Sequence, residues 1–458
     1  MKAIIAATIS GVILMFAGIL VKEKKNAVTL AVILLLALLG VNIYEVVSTP
    51  AAAPQAFFNN MLRIDRYAVW FNTLLTGCTL LYVLLIGKEI AKVGSHVAEY
   101  FALICFILCG LYILSGYNNM LMLFLGIEII SIPQYILAGS DKKNLKSSEA
   151  SLKYFLMGAF STGILLMGIT LLYGATGSFY ITNFTFLQAD SLNVLALAGI
   201  ILVMIALSFK VSAAPFHMWT PDVYDGAPTA FTAFMATVAK AAAFIAFLRL
   251  FQVAFGSLSN SWTLVLSVIT AATLFVGNIT AVFQQSVKRM LAYSSIAQAG
   301  FMLFAVISVN AIAWQGIIIY AVAYSVATIG IFAVLLKLKD YTYDGFNGLA
   351  QKEPTLAFVA TIFLLSLAGI PLTGGFMAKY YVLSAAMQQG HLMWLVIFAL
   401  LMAAISVYYY FRVIIAMYFK PGNPELNSPV TQTDKFLLIL TCAIVLLIGI
   451  FPQLFLSV

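Results

Sequence analysis

The sequence predicts an all-α polytopic membrane protein of about fourteen transmembrane helices. Three observations carry that prediction. The chain is 63% hydrophobic and 9% charged, with a mean hydropathy of +1.05, far from the soluble average of about 45–50% apolar and about 25% charged. Its apolar stretches run about 20 residues, whereas a barrel strand would alternate over about 10. Lysine and arginine fall mainly in the short gaps between those stretches, as the positive-inside rule expects.

Taken in order, the stretch 3–20 lacks a small-x-small cleavage pattern before Val21, and a second apolar run starts at Ala27, so it reads as helix 1 and not a signal peptide. Runs at 27–48, 68–86, 98–115, 118–138 and 152–174 supply helices 2 to 6. Helices 7 to 11 fall at 192–218, 228–252, 262–284, 290–308 and 311–337, and helices 12 to 14 at 356–387, 392–419 and 436–456. The longest connections, near 49–67, 338–355 and 420–435, are too short to fold alone.

Orientation follows from the basic residues. If the loop with Lys22, Lys24 and Lys25 is cytoplasmic, 17 of the 24 Lys and Arg lie on that side; Lys2, Arg63, Arg66 and Arg249 lie opposite. This places both termini on the non-cytoplasmic side of the membrane. The net charge of +8 then reflects topology, and no nucleic-acid partner is expected.

Helices 7 and 12 are interrupted, by Pro215 and by Pro371 with Gly374-Gly375. Interior proline frees backbone groups, which survive in a membrane only where protein or a water-filled cavity satisfies them. The two broken helices are five apart and cross in opposite directions, the mark of inverted repeats with a midplane site. The expected organisation is a single membrane domain: peripheral helices 1–3 (1–96), one repeat of helices 4–8 (97–252), a second of helices 9–13 (261–420), and helix 14 (435–458).

Glu128, Lys210, Lys240 and Lys379 lie inside apolar spans. Each charge costs about 2.5–3.5 kcal/mol at a bilayer centre on insertion scales, so such residues point to an ion or proton path. Buried lysine is suited to taking up and releasing a proton, and a glutamate beside it responds to movement of its charge. We therefore read Glu128 and Lys210 as a modulating pair, Lys240 as the central carrier and Lys379 as the exit-side carrier. The bland alternatives are snorkelling for Lys210 and Lys379 and a structural ion pair for Glu128. Lys240, near the middle of helix 8, is too deep for snorkelling. Ser212, Thr237, Ser294, Ser295, Gln298, Tyr320, Tyr324 and Thr373 could connect these stations, although intramembrane hydroxyls more often satisfy backbone.

His217, Asp222 and Asp225 stand at the cytoplasmic end of the helix 7 break. Their spacing is too general for a metal site and reads as loop capping or a proton entrance. Cys78, Cys105, Cys109 and Cys442 read as small buried hydrophobes. No two glycines are spaced G-x-G, and the four Cys with His96, His217 and His391 supply no flavin, haem or iron–sulfur ligand set. No cofactor and no metal are expected on this chain.

The segments 149–163, S-F-K-V-S-A-A-P-F-H-M-W-T-P and its continuation (208–241), V-K-R-M-L-A-Y-S-S-I-A-Q-A-G (287–300) and S-L-A-G-I-P-L-T-G-G-F-M-A-K-Y-Y (366–381) resemble the antiporter-like membrane subunits of respiratory complex I, above all the subunit N branch. The resemblance implies that Glu128, Lys210, Lys240 and Lys379 are proton-channel residues. It also implies partner subunits, both membrane and peripheral, that hold flavin, iron–sulfur clusters and the quinone site. Three features resemble N more than its L and M paralogues: no long lateral helix after helix 14, Lys379 on helix 12, and no histidine shortly before Lys240. Gln298 departs from the histidine often found in N, and an amide cannot change charge near neutral pH. A Mrp-type cation/proton antiporter subunit, a ferredoxin- or hydrogenase-driven relative and a structural scaffold are the competing readings.

Overall fold

Bilayer thickness, caps and helix breakers set the elements. A computed structural model describes residues 1–20, 23–49, 54–186 and 193–456. Lys22, residue 192 at the expected start of helix 7, and residues 457–458 of the last unit lie outside the described residues. Expected helices 1 to 6 form as α1 (Lys2–Leu20), α2 (Lys24–Ser48), α3 (Arg66–Val93), α4 (Val97–Gly116), α5 (Met120–Ala138) and α6 (Leu145–Thr176). Helix 7 is split into α7 (Val194–Lys210) and α8 (Trp219–Gly226). Helix 8 runs as α9 (Thr229–Phe234) and α10 (Lys240–Arg249), joined by a π-helical turn over Met235–Ala239.

Helices 9 to 11 are α11 (Ser259–Val282), α12 (Val287–Ile307) and α13 (Ala311–Leu335). After the single turn α14 (Leu349–Lys352), helix 12 is split into α15 (Pro354–Ala368) and α16 (Gly374–Met387). The last two are α17 (Met393–Phe419) and α18 (Gln432–Ile450). Among the described residues twelve helices are long and apolar enough to cross a membrane; α7 and α15 are shorter apolar helices, and each stops at its break.

Side-chain caps fix many of these starts. Asp65, Asn119, Asn144, Asn193 and Asn310 accept from first-turn amides of α3, α5, α6, α7 and α13, and Thr431 with Asp434 forms a capping box on α18. One element departs from the all-helical expectation. The connection before α3 holds an antiparallel hairpin, β1 (Gln55–Phe57) and β2 (Leu62–Ile64). Its strands are too short for a period-2 pattern to register, and its turn puts Phe58, Asn59 and Asn60 at positive φ.

The breaks are satisfied by protein. In the first, the Ala214 N–H donates to Thr273 Oγ1 on α11 (2.9 Å). In the second, Gly375 N–H donates to Ser366 Oγ (3.0 Å). Burial then ranks the helices. The Thr229–Ala254 span and α13 are buried along their whole apolar windows and α12 nearly so, while α1, α2, α6 and α18 are about one-third buried. The inner helices are the ones that carry Lys240, Ser295, Gln298, Tyr320 and Tyr324, so these five sit in the core and not on a lipid face.

Candidate functional site

Lys240 opens α10 directly after the π turn and is 3% exposed. Its Nζ donates to Ser295 Oγ and to the Ser295 carbonyl, each at 3.1 Å, and lies 5.7 Å from the centre of the Tyr224 ring. Lys379 on α16 is 7% exposed. Its Nζ donates to the carbonyls of Leu367 (3.1 Å) and Ala368 (2.7 Å) and lies 4.7 Å over the Phe301 ring. Those two carbonyls belong to the last turn of α15, which Gly369 ends at φ +89°. A helix end leaves its final carbonyls without intrahelical donors and carries partial negative charge, so the break itself builds the ammonium's seat.

Lys210 is the last residue of α7, and its Nζ donates to Ser131 Oγ on α5 (2.9 Å). Glu128 on the same helix accepts from Thr162 Oγ1 on α6 (2.8 Å). Both are half-buried. The two expected partners are close enough to interact electrostatically, yet no ion pair at 4 Å or less joins them among the described residues. Glu128 and Ser131 are three apart on α5, so they share a helix face, and each engages a different neighbouring helix.

Between the lysines, Gln298 of α12 is held on every side. Tyr320 of α13 donates to its Oε1. Its Nε2 donates to the Leu367 carbonyl (2.9 Å) and to the Tyr410 hydroxyl of α17 (3.2 Å). Tyr324, one turn along α13 from Tyr320, lies beside Ser295. Lys240, Ser295, Tyr324, Tyr320, Gln298 and Lys379 are thus brought into one buried polar row. Ser212 sits in the helix 7 break at φ +67° with its buried hydroxyl unpartnered, and His217 beyond it has an unpartnered buried Nδ1. The structure does not tie either to the row through a hydrogen bond. Thr237 and Thr373 bond back to the carbonyls of Ala233 and Ile370.

At the other end of the break, Asp222 on α8 joins three elements. Lys153 of α6 and Arg289 of α12 donate to its two oxygens at 3.1 and 3.0 Å, beside an open cavity of about 250 Å³. Burial pushes the Asp222 carboxyl up, but the hydrogen bonds from Lys153 and Arg289 outweigh that and hold it below the usual carboxylate range. Among the described residues no group of three or more His, Cys, Asp or Glu is placed to hold a metal.

Sequence reading missed Ser131, Thr162, Tyr224, Phe301, Tyr410 and the Leu367 and Ala368 carbonyls. Ser131 carried a usable signal, since i,i+3 from Glu128 puts it on that face. Tyr410 was masked by the run Tyr408-Tyr409-Tyr410, which reads as an interface belt.

A bundle of transmembrane helices with two breaks and a buried row of lysines and hydroxyls defines an antiporter-like membrane protein. Residues 117–406 match the family described as "NADH:quinone oxidoreductase/Mrp antiporter, TM". NADH-quinone oxidoreductase subunit N of Cytophaga hutchinsonii is 41% identical across 100% of this chain and 99% of its own. The chain belongs to the NADH-quinone oxidoreductase subunit N family. A chain of respiratory complex I from Thermus thermophilus with bound Aureothin is 30% identical at a TM-score of 0.84, covering 99% of this chain and 98% of that one. A chain of the Mrp complex from Dietzia sp. shares the fold, with a TM-score of 0.85 at 19% identity over 100% of this chain and 96% of that one.

Proposed function

We propose that this chain is the proton-translocating N-type membrane subunit of an NADH:quinone oxidoreductase, itself without redox groups. Flavin, iron–sulfur clusters and quinone belong, on this reading, to partner subunits, and quinone reduction there drives shifts of charge along this chain. Glu128 and Lys210 set the charge at one end, Lys240 carries the proton at the centre and Lys379 hands it out. Ser212, Ser295, Gln298, Tyr320, Tyr324 and His217 line the route. Other membrane and peripheral subunits, neighbouring antiporter-like subunits and the bilayer are its partners.

One observation carries the proposal. Lys240 and Lys379 are buried, and among the described residues neither has a carboxylate within 4 Å; hydroxyl and carbonyl oxygens alone receive their ammonium groups. A structural buried charge is normally paired. An unpaired lysine held by neutral acceptors can lose its proton without stranding a counter-ion, which is what a carrier requires.

The repeat organisation, 97–252 and 261–420, is supported by the matching breaks α7/α8 and α15/α16, each with a lysine beside it. The inner-membrane placement with periplasmic termini is supported by the distribution of Lys and Arg. The full-length likeness to subunit N at 41% identity favours this reading over a Mrp-type subunit, for which the likeness is one of fold.

Purification of the native complex through a tag on this chain tests the proposal. Co-purifying flavin and iron–sulfur subunits with NADH:quinone activity are expected. Co-purification of small antiporter subunits without redox centres would overturn it in favour of cation/proton exchange.

A further inference from the structure

Gln298 stands at the centre of the row, and its hydrogen bonds leave it nothing to exchange. Both Nε2 hydrogens are committed, to Leu367 O and to the Tyr410 hydroxyl, and Oε1 is taken by Tyr320. A primary amide so held neither rotates freely nor releases a proton near neutral pH. The proton must therefore pass beside it.

The neighbouring groups that can both accept and donate are hydroxyls, and one pair stands out. Tyr410 of α17 is fully buried, and its hydroxyl lies 2.5 Å from Ser294 Oγ, with either oxygen able to be the donor. Ser294 and Gln298 are one turn apart on α12, so the Tyr410 oxygen spans the gap that the amide blocks. The adjacent Tyr409 fixes the approach: its hydroxyl bonds to Asn278 Oδ1 on α11 (3.1 Å), and its ring lies 4.5 Å from that of Tyr410.

We propose that Tyr410, on a helix outside the row of charged residues, is the proton-relaying hydroxyl at the middle of the path, working with Ser294. This rests on the proton-path reading above. In one concerted shift Ser294 Oγ, next to Ser295 on the Lys240 side, gains a proton as it gives its own to the Tyr410 oxygen, which releases its proton toward the Lys379 side. One O–H bond forms as another breaks, and no charge stays on the phenol. Rotation of both hydroxyls then restores the start.

The test uses the whole complex in sealed membrane vesicles, reading proton uptake, quinone reduction and NADH oxidation by an artificial acceptor. Tyr410→Phe should lower proton uptake by on the order of a hundredfold, the lower end of a proton-transfer group's contribution, with NADH oxidation by the acceptor unchanged. Tyr408→Phe, on the exposed face of the same helix, should keep uptake within about twofold. Adding Gln298→His to Tyr410→Phe should restore uptake, because an imidazole accepts at one nitrogen and releases from the other. A role in packing alone would not be rescued in this way.

If Tyr410→Phe does not assemble, Ser294→Ala removes the other half of the same bond with a smaller change in volume and is expected to show the same loss. Normal uptake in the assembled variant, or a loss that Gln298→His does not repair, overturns the relay. Lys240→Ala measured alongside separates the two levels. A loss there with normal Tyr410→Phe uptake sinks the relay and leaves the path; normal uptake in both sinks the path itself.

Discussion

Lys379 and Gln298 share one acceptor: the Leu367 carbonyl oxygen receives Lys379 Nζ at 3.1 Å and Gln298 Nε2 at 2.9 Å. An ammonium on α16 and an amide on α12 are thereby registered against the Gly369-capped end of α15. Loss of the Lys379 proton leaves an amine with two N–H groups, enough for the Leu367 and Ala368 carbonyls, and the amide stays in place, so the seat survives discharge. Lys379→Arg should keep the charge and abolish its release, since guanidinium does not deprotonate in proteins. Proton uptake by vesicles should fall as far in Lys379→Arg as in Lys379→Ala; full uptake in the arginine variant would show that Lys379 never discharges.

Lys240 faces a harder constraint, because Ser295 supplies both of its hydrogen-bond acceptors. Lys240→Ala should leave assembly and artificial-acceptor NADH oxidation intact and lower coupled quinone reduction by on the order of tenfold or more. Wild-type coupled turnover in that variant would remove Lys240 from the path.

Glu128 and Lys210 are held by separate hydroxyls, Thr162 and Ser131, and not by each other. Glu128→Gln keeps the shape and loses the charge, so turnover should fall severalfold without being abolished. Ser131→Ala should impair turnover comparably by releasing Lys210 Nζ. If Ser131→Ala is silent and Glu128→Gln is not, Lys210 is governed by the through-space charge alone.

The second break depends on glycine at one position. A Cβ on Gly375 would stand 1.8 Å from the Ser366 carbonyl oxygen, a backbone atom that cannot step aside. Gly375→Ala should destabilise the subunit by at least the 1–3 kcal/mol typical of overpacking, roughly. Gly77→Ala, with nothing within 4 Å, is the matched control. Thermal unfolding of the purified complex should separate them, and equal melting temperatures would refute the packing argument.

Asp222 decides between a latch and a proton entrance. Its carboxyl is held below the usual range by Lys153 and Arg289. A depressed carboxylate contributes stability that is full above its unfolded value, about 3.9, and is lost as pH falls through the lower folded value. From pH 5 to 8 the latch is therefore constant. Asp222→Asn should lower turnover evenly across that window, leaving the pH–rate profile unchanged in shape. A shifted profile would make Asp222 a participant in proton entrance.

Much of this molecule is legible in its sequence. The spans were legible because bilayer thickness dictates their length and basic residues mark loops, but not every end was: α3 runs on to Val93 from an expected end at 86, and α6 starts at Leu145 instead of 152. The two breaks were legible because interior proline removes a donor, although proline alone does not decide a break: α5 runs unbroken through Pro133. Glu128, Lys210, Lys240 and Lys379 were legible because the cost of a charge in an apolar span is a local property. The hairpin before α3 was not, since three-residue strands leave no periodic trace.

The sequence by itself determined a helical membrane protein with four charges inside its apolar spans. Tertiary structure alone decided whom those charges meet: Ser295 for Lys240, the end of α15 for Lys379, Ser131 for Lys210 and Thr162 for Glu128. Helix rotation and packing choose such partners, and neither is a property of any one segment. The seat of Lys379 is made of backbone carbonyls, which every residue carries and which only a broken helix leaves free.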